Sequence, residues 1–506
     1  MELVSPSMIS EIDSYAERVL DIPVVSLMER SGEAVASVVR ERIPRGSGLL
    51  FLCGKGNNGG DGYAAALKLF SDYRVRVIDV FSSGQKSEAG KYFLNEYLRA
   101  GGEVLSFSCL SSELLAADAV IDSILGTGAT GSLDDSLLSI ADAVNSSGKR
   151  VIAVDLPLGV NAEDGTASPR AVRAEATVSL SFMKVGLLSY PARELVGEIH
   201  SFDLGIPREK IISAFEFKNF LVDRALAESL LPPRGKNTNK GSFGKALLIT
   251  GSREYEGAGR LSLEAALRGG AGIVGFFSDR YLRDRLIVNY PEAIYYPSME
   301  CDGWREELLS VSSRHNAILI GSGSGVSEKL YRAVSLLLST EGAPMVIDAD
   351  GINSLARYGS AEELKCARRT VILTPHPLEL SRLSAIPVER INAERLRTAK
   401  EFAHRYGIIL LLKGAATVIT DGQTVYINSS GNSALAKGGS GDALAGLLVS
   451  LLASRADPLK VTALAAYIHG AAGDALSDVY SELGVTPSDL PREMARQTAI
   501  LEKKNK

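Results

Sequence analysis

Short, near-continuous runs of β-branched and apolar residues recur along this chain and constrain its fold more than any other feature. The first half holds Leu49–Cys53, Val75–Phe81, Ala119–Ile124, Val151–Leu156 and Ala176–Phe182. The second half holds Ala246–Thr250, Ile273–Phe277, Ala317–Ile320, Met345–Ile347, Val371–Leu373, Ile408–Leu412, Thr417–Thr420 and Thr424–Ile427. A strand without a polar face is buried on both sides, as in a parallel sheet covered by helices. Glycine-bearing turns and helical stretches separate the runs, which implies right-handed crossovers. The last two runs, joined through Asp421-Gly422, predict a β-hairpin instead. Ahead of the first strand, Pro23 marks a helix start, and Leu27, Ser31, Ala34, Val35, Val38 and Arg42 share one 3.6-residue face. The expected fold class is α/β with doubly wound domains.

At 506 residues the chain exceeds one compact core. The texture changes over residues 208–240, where Pro232, Pro233 and the basic stretch Arg234 to Lys240 interrupt the strand–helix pattern. A boundary near residue 220 follows, with domains of 1–220 and 221–506. The formal charge of −5 gives no basic excess for nucleic acid, and no Lys/Arg cluster suggests an anionic membrane. No apolar run approaches the ~20 residues that span a bilayer. Residues 1–21 carry Glu11, Asp13 and Glu17, unlike a signal peptide. Cys53, Cys109, Cys301 and Cys366 are scattered, with no CxxC pair, which suits reduced thiols in a cytoplasmic protein.

Chemistry concentrates in residues 431–442, Gly-Asn-Ser-Ala-Leu-Ala-Lys-Gly-Gly-Ser-Gly-Asp, just ahead of an apolar helical run from Ala443 to Leu452. Glycines before a helix let backbone N–H groups converge on an anion, and the helix dipole favours phosphate there. Alone, the segment also reads as a glycine-rich turn capped by Asp442. Its company changes the balance: Gly241–Lys245, Gly251-Ser252, Gly321–Gly325 and Lys413–Thr417 flank other strands. In an open α/β sheet such loops gather where ligand lies. A carboxylate beside a phosphate suits proton removal from an attacking hydroxyl, so Asp442 is the candidate base. His376, between Pro375 and Pro377 at a strand end, suits a packed or capping role as well as a substrate contact. Asp348 and Asp350 suit Mg²⁺ orientation, and helix capping by Asp350 nearly as well. His469, inside a helical run, reads as structural.

Taken together, Gly321–Gly325, Asp348-Ala349-Asp350, Thr374-Pro375-His376-Pro377, Lys413–Thr417 and Gly431–Asp442 resemble the ribokinase-like dehydratase domain of the NAD(P)H-hydrate repair enzymes, over about residues 225–500. The resemblance implies ADP-dependent dehydration of the (6S) hydrate of NADH or NADPH, with Mg²⁺. ADP would lie on Lys413, Gly414, Ala415, Ala416 and Thr417, and on Asn432, Ser433, Ala434, Leu435, Ala436, Lys437, Gly438, Gly439, Ser440 and Gly441. Ala258, Gly325, His376 and Asp442 would contact the hydrate. Two departures stand out: Gly-Ser-Gly-Asp where Gly-Thr-Gly-Asp is frequent, and Pro377-Leu378-Glu379 in place of Pro-Gly-Glu.

In the first half, Gly54-Lys55-Gly56-Asn57-Asn58-Gly59-Gly60-Asp61-Gly62 follows a strand and precedes the helix expected over Tyr63–Phe70, without the usual GxGxxG spacing. Asn57, Asn58 and Asp61 supply oxygen ligands as well as caps. Asp122 and Asp155 each end a β-branched strand, and capping explains either alone about as well as a site does. With Gly126–Ser132 these segments resemble the epimerase domain of the same enzymes, over about residues 5–210. The resemblance implies interconversion of R and S hydrates, with K⁺ on Asn58 and Asp122. Substrate contacts would be Asn57, Asn58, Gly59, Gly60, Asp61, Gly126, Thr127, Gly128, Ala129, Thr130, Gly131, Ser132 and Asp155. Asp155, the only ionisable group in its loop, is the candidate acid/base. The family often places a K⁺-binding Ser where this chain has Leu158.

The expected whole is a Rossmann-like epimerase domain followed by a ribokinase-like dehydratase domain. It would repair NADHX and NADPHX at the expense of ADP, releasing AMP and phosphate, with no nucleic-acid or membrane partner. A homo-oligomer is expected, a tetramer among the forms. The rival readings are a ribokinase-like small-molecule kinase and a non-catalytic nucleotide-binding module in the first half.

Overall fold

The computed structural model describes residues 1–81, 86–128, 133–297 and 299–503. It divides into two compact units: Glu2–Asn219 with Ala393–Leu396, and the chain from Phe220 onward without that short segment, plus Met1.

The first unit is built on a sheet ordered Val104–Leu105, Arg74–Asp79, Gly48–Cys53, Ala119–Ser123, Arg150–Val154, Ala176–Leu180 and Glu198–Phe202. Its neighbouring strands pair in parallel. Successive side chains on a strand face opposite ways, and here they enter separate cores. Phe51, Val77, Ile121, Ile152 and Val178 pack with Val35, Val38 and Tyr63. Leu50, Leu52, Ile78 and Val120 pack with Leu114, Ile140 and Val144. The sheet is therefore covered on both faces, as the near-continuous apolar runs imply. The strands expected to reach Leu156 and Phe182 stop at Val154 and Leu180, because Asp155 and Ser181 adopt positive φ of 66° and 62° and turn the chain. Glu198–Phe202, a strand without a strong apolar signal, lies at the sheet edge, where polar residues are tolerated.

In the second unit the strands run Val425–Asn428, Val418–Thr420, Ile409–Leu412, Val371–Leu373, Met345–Ile347, Ala317–Ile320, Lys245–Ile249, Ile273–Phe277 and Ile294–Tyr296. The expected hairpin is antiparallel, Val418 facing Ile427 and Thr420 facing Val425, and Ile409–Leu412 also pairs antiparallel with Val418–Thr420. The other pairs are parallel. The helix Ser440–Leu452 is buried along nearly all its length and packs against Glu256–Arg268.

Each sheet reverses its strand order once, between Gly48–Cys53 and Ala119–Ser123 in the first unit and between Lys245–Ile249 and Ala317–Ile320 in the second. The loops leaving the carboxyl ends of strands part there and open a crevice. Among the described residues, no helix is long and apolar enough to cross a membrane.

Candidate active sites

In the second unit the candidate base stands at a helix start. Asp442 lies in the first turn of Ser440–Leu452, whose N-cap, Gly439, has φ 103°. A side chain at Gly439 would be strained by that conformation, and its Cβ would lie 2.8 Å from Leu261 Cδ1. The first-turn N–H groups, including those of Gly441 and Asp442, have no partner within the helix. Lys413 faces this turn: a Cβ built on Gly441 would sit 3.4 Å from its Nζ.

Carboxylates gather around Lys413. Its Nζ lies 3.1 Å from Asp348 Oδ1 and 3.7 Å from Glu379 Oε2. Asp348 also accepts hydrogen bonds from Thr374 Oγ1 at 2.7 Å and Ser322 Oγ at 2.8 Å. Asp350 Oδ2 accepts the Gly325 N–H at 2.9 Å. Burial pulls the Lys413 ammonium down, but Asp348 and Glu379 outweigh it and hold its pKa above the usual value. Burial, reinforced by Asp348, pushes Asp442 up to about 7. Asp442 is thus poised as a proton acceptor near neutrality.

Of the roles the sequence left open to His376, the structure shows the capping one. It caps the helix Pro377–Ser384, its Nδ1 accepting the N–H of Leu378 at 3.1 Å and of Glu379 at 3.4 Å, while Glu379 Oε2 accepts the His376 N–H at 2.8 Å. An accepting Nδ1 leaves the ring proton on Nε2, which lies 3.5 Å from Glu379 Oε1. Leu378 keeps this capping box intact in place of glycine.

The loop Asn432–Ser440 turns its polar side chains onto the helix Pro458–Gly484 and the residues after it. Asn432 Nδ2 donates to Asp474 Oδ1 at 2.9 Å, the Ser433 hydroxyl bonds Glu482, and Lys437 Nζ donates to Leu483 O at 2.7 Å. Ser440 Oγ is 3.0 Å from Nε2 of the buried His469. What this loop offers a nucleotide is therefore chiefly backbone.

In the first unit a cavity of about 420 Å³ is lined by Asp13, Asn57, Asn58, Asp61, Asp155 and Lys184 among others. Lys184 is buried, ion-paired with Asp155, and donates to Leu180 O at 2.7 Å. Asp155 Oδ2 accepts the Thr127 N–H at 3.3 Å. Burial holds Asp61 well above the usual carboxylate range, Asp155 adding to the effect, and pushes Asp13 up to about 6. Both polar atoms of the Asn58 amide are buried without a hydrogen-bond partner. Asp122 is wholly buried at its strand end, accepting the N–H of Leu158 at 2.7 Å and of Ile124 at 3.2 Å.

Comparison with known proteins now decides the family. Residues 246–496 match the family model described as NAD(P)H-hydrate dehydratase, and residues 24–186 that of the YjeF-related protein N-terminus. The bifunctional NAD(P)H-hydrate repair enzyme of Thermofilum pendens is 33% identical over 500 residues, spanning 96% of this chain and 94% of its own. The chain belongs to the bifunctional NAD(P)H-hydrate repair enzymes. Such enzymes pair an epimerase with a dehydratase, here a Rossmann-like unit ahead of a ribokinase-like one. A hypothetical protein of Streptococcus mutans matches in structure over 57% of this chain and 100% of its own, at 26% identity and a TM-score of 0.50. An ADP/ATP-dependent NAD(P)H-hydrate dehydratase of Bacillus subtilis, co-crystallised with ATP and Mg²⁺, is 30% identical, covering 56% of this chain and 98% of its own at a TM-score of 0.49.

Of the residues expected in the repair enzyme's sites, Ala258 packs close to Gly323 near Gly325, while Ala129, Thr130, Gly131 and Ser132 lie outside the described residues. The run Asn57–Gly62 does not form a loop before the helix; it is the opening of the helix Asn57–Leu69. Glu379, Lys184 and Asp13 were not picked out as site residues. Glu379 had a signal, since an acid three residues after a cap marks a capping box. For Lys184 the signal was a single cation in the apolar run from Ala176 to Leu188.

Proposed function

We propose that residues 1–220 interconvert the R and S hydrates of NADH and NADPH, and that residues 221–506 dehydrate the S form with ADP. The observation that carries the dehydratase half is Asp442, raised toward neutrality, in the first turn of a buried helix with Lys413 beside it. ADP would lie along Lys413–Thr417 and the backbone of Asn432–Gly441, with the hydrate against Ala258, Gly325, His376 and Asp442. Asp442 takes the proton of the ring hydroxyl as that oxygen attacks the terminal phosphorus. The bond between the two phosphates breaks and AMP departs. Phosphate then leaves the ring carbon with the C–O electron pair, the neighbouring carbon loses a proton, and the dihydronicotinamide is restored.

The charge around the site supports a need for Mg²⁺. Asp348, Glu379 and Asp442 act on one ammonium, Asp350 acts on Asp442, and a polyphosphate adds further negative charge. Asp348 is held by Lys413, Thr374 and Ser322, and Glu379 by Lys413 and the His376 N–H, whereas Asp350 Oδ2 takes the Gly325 N–H and its carboxylate would share the ion with phosphate oxygens. When bound, Mg²⁺ offsets charge developing on the phosphoryl group.

In the epimerase, Asn57, Asn58, Asp61, Gly126–Gly128 and Asp155 would face the hydrate, with Asp155 exchanging the proton. The unpartnered Asn58 amide and the buried Asp122 suit a monovalent cation, and K⁺ there would offset the Asp122 charge. We place the enzyme in the cytoplasm, which agrees with its free cysteines.

The test is incubation with mixed-epimer NADHX, Mg²⁺ and either ADP or ATP, following each epimer by chromatography. Free phosphate with recovered dihydronicotinamide absorbance is expected; a stable phosphorylated product would establish a small-molecule kinase instead. Epimerisation at equal rates in K⁺ and in a bulky organic cation would remove the K⁺ assignment.

A further inference from the structure

The cavity of the first unit holds an ammonium that the reaction has not yet used. Resting on the reading of this unit as the epimerase, we propose that Lys184 is the positioning residue that keeps Asp155 a carboxylate at the cavity wall, ready to exchange the hydroxyl proton of the hydrate.

Lys184 is 2% exposed. Burying an ammonium this deeply is unfavourable unless it is paired and hydrogen-bonded. Both conditions are met by one neighbourhood, the Asp155 carboxylate and the Leu180 carbonyl 2.7 Å from Nζ. Asp155 itself sits at φ 66°, an uncommon conformation for a residue with a side chain. Its N–H donates to Val178 O at 2.8 Å, and its other carboxylate oxygen takes the Thr127 N–H. The strand Ala176–Leu180 therefore holds Asp155 twice, once by its backbone and once through Lys184. Strain of this kind at a cavity wall persists only where the surroundings over-determine it.

The charges facing Asp155 give the ammonium its purpose. Asp61 comes from the helix Asn57–Leu69 and Asp13 from the helix Pro6–Arg18, and both line the same cavity, as does Lys55. Without Lys184, two neighbouring acids and burial would all favour the protonated form of Asp155. A protonated Asp155 cannot begin the reaction. The hydrate carries its hydroxyl on a carbon bonded to the ring nitrogen, so inversion can proceed by opening and closing the ring. Asp155 takes the hydroxyl proton, the C–N electron pair moves to nitrogen, and Asp155 delivers the proton there. Reclosure on the opposite face of the resulting aldehyde reverses both transfers, with no net gain or loss of atoms.

The experiment uses the full chain with mixed-epimer NADHX, ADP and Mg²⁺. Consumption of the S form reports the dehydratase, and consumption of the R form reports epimerisation. Lys184→Met is expected to slow R consumption about 100-fold at pH 7 and leave S consumption unchanged. Raising the pH should restore much of the R rate, because Asp155 then ionises without its partner. Lys184→Arg, which keeps the cation, should retain more activity and a pH profile closer to the parent. Unchanged R consumption in Lys184→Met overturns the proposal. So does a loss that persists equally at every pH and in Lys184→Arg, which would mark a purely structural lysine. If the parent enzyme consumes R no faster than buffer does, the epimerase reading itself falls, and that outcome is visible before any variant is made.

Discussion

Lys413 Nζ lies 3.1 Å from Asp348 Oδ1, and this pair fixes the cation under the turn that carries Asp442. Asp348 is 1% exposed, so its charge depends on Lys413 and two hydroxyls.

Replacing Lys413 with Met should therefore do two separable things. It leaves a buried carboxylate without its cation, a loss of about 3 kcal/mol for a pair of this kind. It also removes the charge facing the nucleotide, lowering S-hydrate turnover by about 100-fold or more. The double variant Lys413→Met/Asp348→Asn should recover much of the stability in thermal unfolding and none of the activity. Recovery of both would reduce Lys413 to a structural role.

Asp442 gives a prediction of two signs. As a base it must be ionised, so dehydration in the parent should fall as pH drops through about 7. Asp442→Asn should lose about 10²–10⁴-fold in turnover. In stability the effect is opposite. A carboxyl whose pKa is raised from 3.8 to about 7 binds its proton more tightly folded than unfolded, so the parent loses stability as pH rises across that interval. Asp442→Asn should thus melt several degrees higher than the parent at pH 8, with the gap closing near pH 4. A variant that melts lower at pH 8 would contradict the burial argument.

His469 donates from Nε2 to the Ser440 carbonyl at 3.1 Å and lies within hydrogen-bond distance of its hydroxyl, pinning the start of the helix Ser440–Leu452. Burial depresses its pKa to about 4, so the ring is neutral at working pH. Because the unfolded chain takes up that proton near 6.5, the histidine makes folding less favourable as pH falls from about 6.5 to 4, by about 3 kcal/mol at the acid end. His469→Phe should remove that acid limb from the melting profile and raise the KM for ADP about tenfold. His469→Gln, whose amide nitrogen can reach the same carbonyl, should recover most of the KM. A KM unmoved in His469→Phe would free the loop from this contact.

The sheets were legible because their central strands are buried on both faces and are mostly apolar there; Leu49–Cys53 and Ala317–Ile320 are examples. The helix opening at Asn57 was not. Two asparagines and three glycines in its first six residues oppose helix formation, and close packing overrides that preference. A Cβ on Gly60 would meet Met28 Cε at 2.5 Å and Gly90 Cα at 3.0 Å, so only glycine lets the neighbouring helices approach. Asp442 and Lys413 were legible because each lies in a local pattern. Lys184 and Asp13 were not, since what joins them to Asp155 is the order of strands and the cavity behind it, and neither is written in a neighbouring residue.

Leu158 shows how a departure from a family pattern can be read two ways, and the structure favours one. The sequence suggests a K⁺ ligand lost. The Leu158 side chain, however, is wholly buried in the core with Leu50, Leu52 and Val120, while its backbone N–H holds Asp122 Oδ2 at 2.7 Å. Leu158→Ser would remove buried apolar atoms and place a hydroxyl among aliphatic side chains. Losses of this type run to about 2–5 kcal/mol. Since the backbone bond to Asp122 is indifferent to the side chain, the K⁺ concentration for half-maximal epimerisation should stay within about twofold of the parent. Thermal unfolding and a K⁺ titration of R-hydrate consumption check the two halves. A variant that binds K⁺ several-fold more tightly without losing stability would mean that residue 158 turns toward the cation, and that the Asp122 strand end is arranged differently from the structure described.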